Sequence, residues 1–436
     1  MATGTARTLG IDFGTTNSVL ALADSETSAQ MVRFAAPSGN SSVFRTALCF
    51  WQEEGVRGGL AHEAGPWAIA EFLEYPQGSR FIQSFKSVAA NGAFETAGIF
   101  EKRFRFEELG KLFLEHLLNH AGDAVRALPE RIVVGRPVRY VGSRPDEALA
   151  RMRYNAMFAG LGREVHYVFE PVGAAFSFAS RLSDPATIMV ADFGGGTSDF
   201  SIVRVEAPGA VHRCTPLAST GIGLAGDRFD YRIMDHLVLP QLGKGGTYRS
   251  FDKVLEIPLG HFTDFADWSR LAMMRNKRTL EQLNKLRQSA TDPAAIGRMI
   301  AVVEHELGFG LYEAVGALKR ALSGESHAEL SFESEDLTIR ADVTRADFES
   351  WIAPDLERIG ETVDAALAQA KLAPDDIDHV FLTGGSSLIP AVRRLFEERF
   401  GDARLASGDE LTSIAHGLAL IGQSSDLAQW TTGEEL

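Results

Sequence analysis

The sequence predicts an α/β fold built from two similar halves. Residues 7–23 have the pattern of a strand, a turn that begins with Asp12, and a returning strand with alternating apolar positions. The same layout of apolar strand, Asp-x-Gly turn and returning strand starts again at residue 186, about 180 residues later. Helical and strand patterns alternate around both hairpins. A duplicated α/β domain explains this repetition, and two similar hairpins of independent origin are the alternative.

The first half of the chain alternates apolar strands with helices. Leu109, Leu112 and Phe113 recur at helical spacing, which predicts an amphipathic helix. In chain order, the predicted elements are a strand over 42–51, a helix over 107–127, a strand over 131–135, a helix over 146–161, a strand over 165–169 and a helix that begins after Pro171.

The second half begins with strands predicted over 186–192 and 199–205. Residues 243–293 are the least regular stretch and indicate an insertion. Its aromatic residues Phe262, Phe265 and Trp268 favour a small local core beneath a loop, with a surface for a partner as the alternative. Helices alternate with a strand at 378–383 over the final third, and a disordered end that includes Trp430 is expected.

Composition excludes several classes of protein. The 436 residues carry a formal net charge of -15, which argues against nucleic acid as the main partner. The two cysteines, Cys49 and Cys214, form no C-x-x-C pair and are expected to be small buried residues. The first residues lack the apolar core of a secretory signal, and no apolar stretch is long enough to span a bilayer, so we expect a cytoplasmic protein with no membrane partner.

Three glycine-rich turns each follow an apolar strand. They begin near Gly14, Gly194 and Gly384. Glycine allows a ligand to approach the backbone closely, and the N–H groups of such turns bind phosphate oxygens. One such turn more often has no ligand, but three in one chain favour a phosphate site.

Aspartates accompany two of these turns. Asp12 and Asp192 end the strands before the turns, and Asp199 follows the second turn. A single aspartate at a strand end is usually a turn or cap residue. Carboxylates that face a polyphosphate repel it unless a divalent cation lies between them, and Mg²⁺ suits oxygen ligands. The repeated pairing therefore predicts a magnesium–phosphate site.

Five segments together resemble the motifs of the DnaK-type heat-shock ATPases, the heat-shock protein 70 family, and occur in the family's order. They span residues 9 to 420, and a further family signature, IVVGRPVRYVG, lies at 132–142. The five are the first phosphate motif LGIDFGTTNSVLALAD, the first connecting motif EPVGAAFSFAS, the second phosphate motif VADFGGGTSDFSIV, the adenosine motif FLTGGSSLIPAVRRLF and the second connecting motif SIAHGLAL.

This resemblance implies an actin-like fold, of the ribonuclease H-like kind, with two lobes closing on ATP or ADP and Mg²⁺. It assigns Asp12 and Asp192 to Mg²⁺ through water, and Glu170 and Asp199 to the metal shell and the attacking water. The residues that it implies for the nucleotide are Gly14, Thr15 and Thr16 with Gly194, Gly195, Gly196 and Thr197 for the phosphates, and Gly226, Lys319, Arg320, Ser323, Gly384, Gly385 and Ser386 for the adenosine side.

The chain also departs from the family's pattern. Aligning GGLAHEA with the motif of the family's γ-phosphate lysine places His62 at that position. A neutral imidazole supplies less positive charge, so we expect slow or absent hydrolysis, with His62 either catalytic or a surface residue. Lys86 is the nearest downstream substitute. Leu388 and Gly316 stand where the family has an adenine-stacking arginine and a clamp glutamate, which weakens adenine selectivity.

On this resemblance, the chain divides into lobe I over 1–183, lobe II over 184–385 with an insertion at about 243–310, helices over 386–422 that return to the lobe interface, and an acidic tail over 423–436. It is similar to the short, YegD-like branch without the peptide-binding domain. The expected function is a slowly hydrolysing, chaperone-like ATPase with a protein client or co-chaperone. A non-hydrolysing, nucleotide-gated binding module is the alternative, and a small-molecule kinase or a filament-forming relative is less favoured.

Overall fold

The structure is a computed structural model of the chain. It describes residues 7–37, 39–56, 58–76, 78–142, 144–207, 213–266, 271, 274, 277–335, 337–406, 408, 411–425 and 427–431. Trp268 lies outside the described residues. Among the described helices, none combines the length and the apolar character needed to cross a membrane.

The first half of the chain contains thirteen of the described strands and four of the described helices. The strands are β1 Thr8–Phe13, β2 Asn17–Ser25, β3 Ser28–Met31, β4 Phe34–Ala36, β5 Gly39–Ser41, β6 Val43–Arg45, β7 Ala47–Gln52, β8 Leu60–Ala64, β9 Ser79–Gln83, β10 Ala97–Ile99, β11 Lys102–Phe104, β12 Arg131–Arg136 and β13 Glu164–Phe169. The helices are α1 Gly65–Glu74, α2 Phe106–His120, α3 Glu147–Phe158 and α4 Glu170–Ala179.

The second half contains the remaining described elements. The strands are β14 Ala186–Phe193, β15 Ser198–Ala207, β16 Arg213–Ile222, β17 Thr247–Ser250, β18 Lys253–Glu256, β19 His327–Glu333, β20 Thr338–Thr344, β21 His379–Thr383 and β22 Leu405–Ala406. The helices are α5 Gly226–Ile233, α6 Lys277–Ser289, α7 Pro293–Glu304, α8 Gly308–Gly324, α9 Arg345–Ala370, α10 Pro390–Phe400, α11 Ser413–Ile421 and α12 Leu427–Trp430.

The two main sheets have the same topology. The first runs in the order β13-β12-β1-β2-β3, with β6 beside β2, and the second runs β22-β21-β14-β15-β16. In each sheet the first three strands are parallel and the next two pair antiparallel as a meander. The predicted duplicated α/β fold is therefore confirmed.

The two glycine hairpins also share their register. In the first, Asp12 pairs with Val19, and in the second, Asp192 pairs with Asp199, exactly 180 positions further along in both strands. Because side chains alternate between the two faces of a strand, equal register gives corresponding residues the same orientation in each lobe. The backbones of the two turns therefore face the space between the lobes in equivalent orientations.

Each half has its own buried core, and a third cluster joins them. One core includes Phe13 and Phe113, and the other includes Phe193 and Phe396. The joining cluster includes residues of α4 and α11. Where these two helices cross, a Cβ atom on Gly417 would stand 1.6 Å from the carbonyl oxygen of Gly173. This contact explains why both connecting segments carry glycine at the crossing.

Several expectations need correction. The structure adds β16 to the second half, where no strand was predicted, and the helix predicted over 107–127 ends at His120. Trp430 is buried against Phe176, with ring centroids 4.8 Å apart, so the expectation of a disordered end is wrong at this residue. Both cysteines are buried, as expected.

The predicted insertion is ordered over much of its length. It contains the β17–β18 hairpin and helices α6 and α7. Phe262 and Phe265 are 2% and 0% exposed and belong to the main core of the second half, so these two aromatic residues form neither a small local core nor a partner surface.

Candidate functional site

A deep cleft of about 460 Å³ lies between the two sheets. This volume falls within the usual range for small-molecule sites. Sixteen of the predicted residues line it: Asp12, Gly14, Thr15, Thr16, Glu170, Asp192, Gly194, Gly195, Gly196, Thr197, Gly226, Lys319, Arg320, Gly384, Gly385 and Ser386. Three predicted residues, His62, Asp199 and Ser323, are not among those that line it.

The two hairpin turns approach each other closely across the cleft. A Cβ atom on Gly195 would lie 2.4 Å from the Thr16 hydroxyl oxygen, and one on Gly196 would lie 2.7 Å from Val141. At these distances a Cβ atom would force the side chain of Thr16 or of Val141 to move, so glycine allows the two turns to pack without displacing either one. The bare backbone of one lobe therefore faces the threonines of the other.

Hydrogen bonds to α5 orient the peptide groups of the second turn. The amides of Gly226 and Asp227 donate to the carbonyl oxygens of Gly194 and Gly195 at 3.3 and 2.8 Å. In a trans peptide the N–H points opposite to the C=O, so the N–H groups of Gly195 and Gly196 point away from α5. This arrangement leaves two adjacent donors suited to an anion.

The third glycine turn is packed against the end of β14. Gly384 has φ 80°, and a Cβ atom there would lie 2.1 Å from the Phe193 carbonyl oxygen. Both the left-handed conformation and the contact exclude any other residue. This turn therefore forms a fixed wall beside the second glycine turn.

Four carboxylates gather at the base of the cleft. Asp12, Glu170, Asp192 and Asp199 are 9%, 5%, 4% and 0% exposed. Burial, reinforced by the negative charge of Glu170, raises the pKa of Asp12 and of Asp199 to about 7 and that of Asp192 well above its usual value. Such a cluster favours a bound cation, because burial and mutual repulsion both disfavour the ionised forms.

Asp199 lies just beneath the surface of the cleft. Its Oδ1 accepts hydrogen bonds from the amides of Val138 at 2.9 Å and Arg139 at 3.3 Å. Its Oδ2 is buried and has no hydrogen-bond partner among the described residues. An unpartnered buried carboxylate oxygen is costly unless a cation or water satisfies it.

Lys86 supplies the positive charge of this cluster. Its Nζ lies 2.6 Å from Glu170 Oε1, and both side chains are 6% exposed. The residue follows β9, after Ser84 turns the chain with φ 54°, and it lines the cleft. The sequence offered it only as a substitute.

His62 lies elsewhere, and the expectation that it faces the cleft in place of the family lysine is wrong. Its Nδ1 is 2.8 Å from Nε2 of His116 on α2. It sits on β8, opposite Phe50 of β7, so strand pairing directs this segment toward α2. Burial, followed by the neighbouring His116, lowers the pKa of His62.

The opposite end of the cleft is lined by α8. Lys319 Nζ lies 2.8 Å from Asp230 and 3.3 Å from the carbonyl oxygen of Gly226. Ser323 donates instead to the carbonyl of Lys319 at 3.0 Å, which accounts for its absence from the lining. Leu388 is 59% exposed.

Further lining residues were not predicted. Arg45 on β6 approaches Glu313 on α8 at 3.6 Å, a pair that joins the two halves across the mouth of the cleft. Gln83 and Asp227 also line it. Asp227 directly follows Gly226, a predicted site residue, and this position in the sequence could have indicated that Asp227 also lines the cleft. No sequence signal indicated Arg45, because its position depends on the pairing of β6 with β2, which are distant in the sequence.

Comparison with known proteins identifies the family. The family model described as Hsp70 protein matches residues 85–246 and 307–425. The chain belongs to the Hsp70 family. This membership carries the actin-like ATPase fold, and members of the family bind ATP or ADP with Mg²⁺. Residues 247–306, which separate the two matched ranges, fall within the stretch predicted as an insertion, whose boundaries stay a prediction.

Individual relatives agree with this assignment. The chain is 26% identical to the chaperone protein DnaK of Mycoplasmopsis agalactiae over 428 residues, 25% to that of Mycoplasma mobile over 426 and 26% to that of Deinococcus radiodurans over 437. These alignments cover 96%, 96% and 95% of this chain. They cover 60%, 59% and 59% of the relatives, so the chain spans about 60% of the length of the relatives it matches.

Proposed function

We propose that the chain binds Mg-ATP in the cleft, hydrolyses it, and couples the bound nucleotide to the closure of its two lobes. The observation that carries this proposal is the convergence of two equivalent glycine turns on one cleft floored by four buried carboxylates and Lys86. Family membership supports the choice of nucleotide.

The donor set fits a magnesium ion. The unpartnered Oδ2 of Asp199 and the raised pKa values of Asp12 and Asp192 support a cation at this position in addition to Lys86. When bound, Mg²⁺ would neutralise the phosphate charge that these carboxylates otherwise repel. We assign Asp12 and Asp192 to hold it through water.

The chain's own groups have separate roles in this proposal. The turns at Thr15 and Gly195 bind the β and γ phosphates from opposite sides through backbone N–H groups. Lys86 provides fixed positive charge beside the transferring phosphoryl group, and Glu170 holds that lysine in place through the 2.6 Å contact. Asp199, fixed by two backbone amides, orients the attacking water.

The adenosine is expected at the α8 end of the cleft. Lys319 and Arg320 line this end, and the turn at Gly384, Gly385 and Ser386 lies opposite. Because Ser323 does not line the cleft, we leave it out of the adenosine contacts. Gly316 lines the cleft without a side chain, so we expect weaker discrimination against other nucleobases than a clamp side chain would give.

Calorimetry with Mg-ATP, followed by single-turnover phosphate release, tests this function. Binding that is lost when Mg²⁺ is removed, and release that is lost in Asp12→Asn and Asp199→Asn, are the expected results. Binding without any release would favour the non-hydrolysing module. No binding at all would end the proposal. A protein client or co-chaperone, as the family implies, stays a prediction.

A further inference from the structure

A group of histidines and a glutamate lies in lobe I, outside the nucleotide cleft. Glu63 is the penultimate residue of β8, and α2 carries His116 and His120 four residues apart, so both imidazoles project from one face of the helix. Glu63 Oε1 lies 2.8 Å from Nδ1 of His116 and 3.1 Å from Nε2 of His120. The three ligand atoms all lie within 4.8 Å of one another.

We propose that Glu63, His116 and His120 form a binding site for Zn²⁺. Two imidazoles and one carboxylate are a common ligand set for zinc, whereas Mg²⁺ and Ca²⁺ prefer oxygen ligands only. Tetrahedral coordination with bonds near 2.0–2.1 Å places ligand atoms about 3.3 Å apart. The two separations from Glu63 Oε1, 2.8 and 3.1 Å, are slightly shorter, so small side-chain rotations would admit the ion, with a fourth position left for water.

Neighbouring side chains already hold the two imidazoles in position. Nε2 of His116 lies 2.8 Å from Nδ1 of His62, so His116 can donate its second N–H to His62 while Nδ1 binds the ion. The ring of His120 stacks on Trp67, with centroids 3.6 Å apart and planes at 11°. The contact of His116 with His62 is of the kind that zinc-binding histidines usually make through their second ring nitrogen.

The site is sheltered but accessible. The side chains of Glu63, His116 and His120 are 22%, 17% and 20% exposed. The amide of Ala64 also donates to Glu63 Oε1 at 2.7 Å, which fixes the carboxylate at the end of β8. A bound ion would link β8 to α2. Without the ion, the same residues form a hydrogen-bonded cluster, and this is the competing interpretation.

Zinc competition with a chromophoric chelator tests the proposal. The full chain is freed of metal and titrated without nucleotide, in excess Mg²⁺ that saturates the oxygen ligands of the cleft. We expect one Zn²⁺ per chain with a Kd of about 1 μM or tighter. His116→Gln and His120→Gln should each weaken binding by about 100-fold or more, and His62→Gln by about 10- to 100-fold.

His327→Gln is the matched control. His327 forms an exposed pair with Asp342 at 3.4 Å, so its replacement removes a histidine beside a carboxylate that has too few ligands for a site. We expect no change in zinc affinity. Circular dichroism checks that each variant is folded. If His116→Gln fails to fold, anomalous diffraction from zinc-soaked wild-type crystals still locates the ion.

The outcomes are decisive in both directions. An anomalous peak between Glu63, His116 and His120, or stoichiometric binding that is lost in both helix variants, supports the site. Wild-type binding weaker than about 100 μM leaves only the hydrogen-bonded cluster. Tight binding that survives both helix substitutions, or a peak at another position, also overturns the proposal. None of these results depends on nucleotide binding.

Discussion

Replacement of Lys86 by methionine is the sharpest test of how the cleft is held together. Methionine keeps most of the length of the side chain and removes the ammonium group that lies 2.6 Å from Glu170. Because both side chains are 6% exposed, the energetics of a buried pair apply. A surface pair would contribute about 0–1 kcal/mol, whereas removing one partner of a buried pair costs about 3–5 kcal/mol.

The pH dependence of this loss can also be worked out from the structure. The pKa of Asp12 and of Asp199 is raised to about 7, and Lys86 is among the groups that lower both values. Below about pH 6 these two carboxyls are protonated, and Lys86 balances less negative charge. The destabilisation by Lys86→Met should therefore be larger at about pH 8 than at about pH 6.

Urea unfolding of nucleotide-free protein measures this effect, with Lys86→Met/Glu170→Gln as the matched double variant. The double variant removes both charges, so we expect it to regain most of the lost stability. Single-turnover phosphate release should fall by about 10²–10³ in Lys86→Met. A single variant within about 1 kcal/mol of wild type, or one with unchanged phosphate release, would refute the role given to Lys86.

Three further results are expected. His62→Lys should leave phosphate release per folded molecule within about twofold of wild type, because His62 does not line the cleft; a marked gain in a stopped-flow assay would contradict this. Gly417→Ala should destabilise the protein by about 3 kcal/mol or more, because the added Cβ atom would lie 1.6 Å from the backbone of Gly173. Gly297→Ala, in α7, is the matched control: the added Cβ atom meets nothing closer than 4.0 Å, and the protein should be stabilised by about 0.5–1 kcal/mol. Equal urea midpoints for the two variants would contradict this prediction. Asp199, whose pKa burial raises to about 7, keeps its proton in the folded state while the unfolded carboxyl ionises. Its contribution to the stability of nucleotide-free protein should therefore fall by about 4 kcal/mol from about pH 4 to about pH 7, and the pH dependence of urea unfolding should be smaller by this amount in Asp199→Asn.

The repeated features of the fold could be predicted because their signals are local. Each hairpin consists of an apolar strand, a glycine turn and a returning strand within about 20 residues. In the first turn a Cβ atom on Gly14 would lie 2.2 Å from the carbonyl oxygen of Asn17, so this position accepts only glycine. Equal registers in the two halves then followed from the same local pattern. Both glycine turns, at Gly14 and Gly194, could therefore be predicted from the sequence, whereas the cleft that they share depends on tertiary packing.

One of the strands that were not predicted from the sequence, β16, shows the limit of periodicity, and β19 and β20 were missed as well. Its partner β15 changes register between Ile202, which pairs with Ala218, and Val203, which pairs with Pro216. Proline cannot donate to the ladder, and such an irregularity shifts the alternation of side chains by one position. The segment therefore lacks the regular apolar pattern from which a strand is recognised, although tertiary pairing makes it part of the sheet.

The position of the Lys86 ammonium group in the cleft depends on contacts that no local sequence pattern reveals. His62 and Lys86 belong to segments that flank the same strand, since β8 and β9 both pair with β7. Motif alignment selected the segment on one side of β7, and the structure uses the segment on the other side. The two are about 20 residues apart in sequence, and only strand pairing decides which one reaches Glu170.

This difference indicates what the cleft requires. Four buried carboxylates can be ionised together only with positive charge beside them, and that requirement concerns the location of a charge in space and not its place in the chain. A lysine that follows β9 can supply this positive charge as well as a lysine on β8, provided that its ammonium group is buried at the same point. His62 does not supply this charge. Its imidazole contacts His116 of α2 instead. The departure from the family's pattern at residue 62 is therefore not evidence of an impaired cleft, because the charge it seemed to lack is supplied by Lys86.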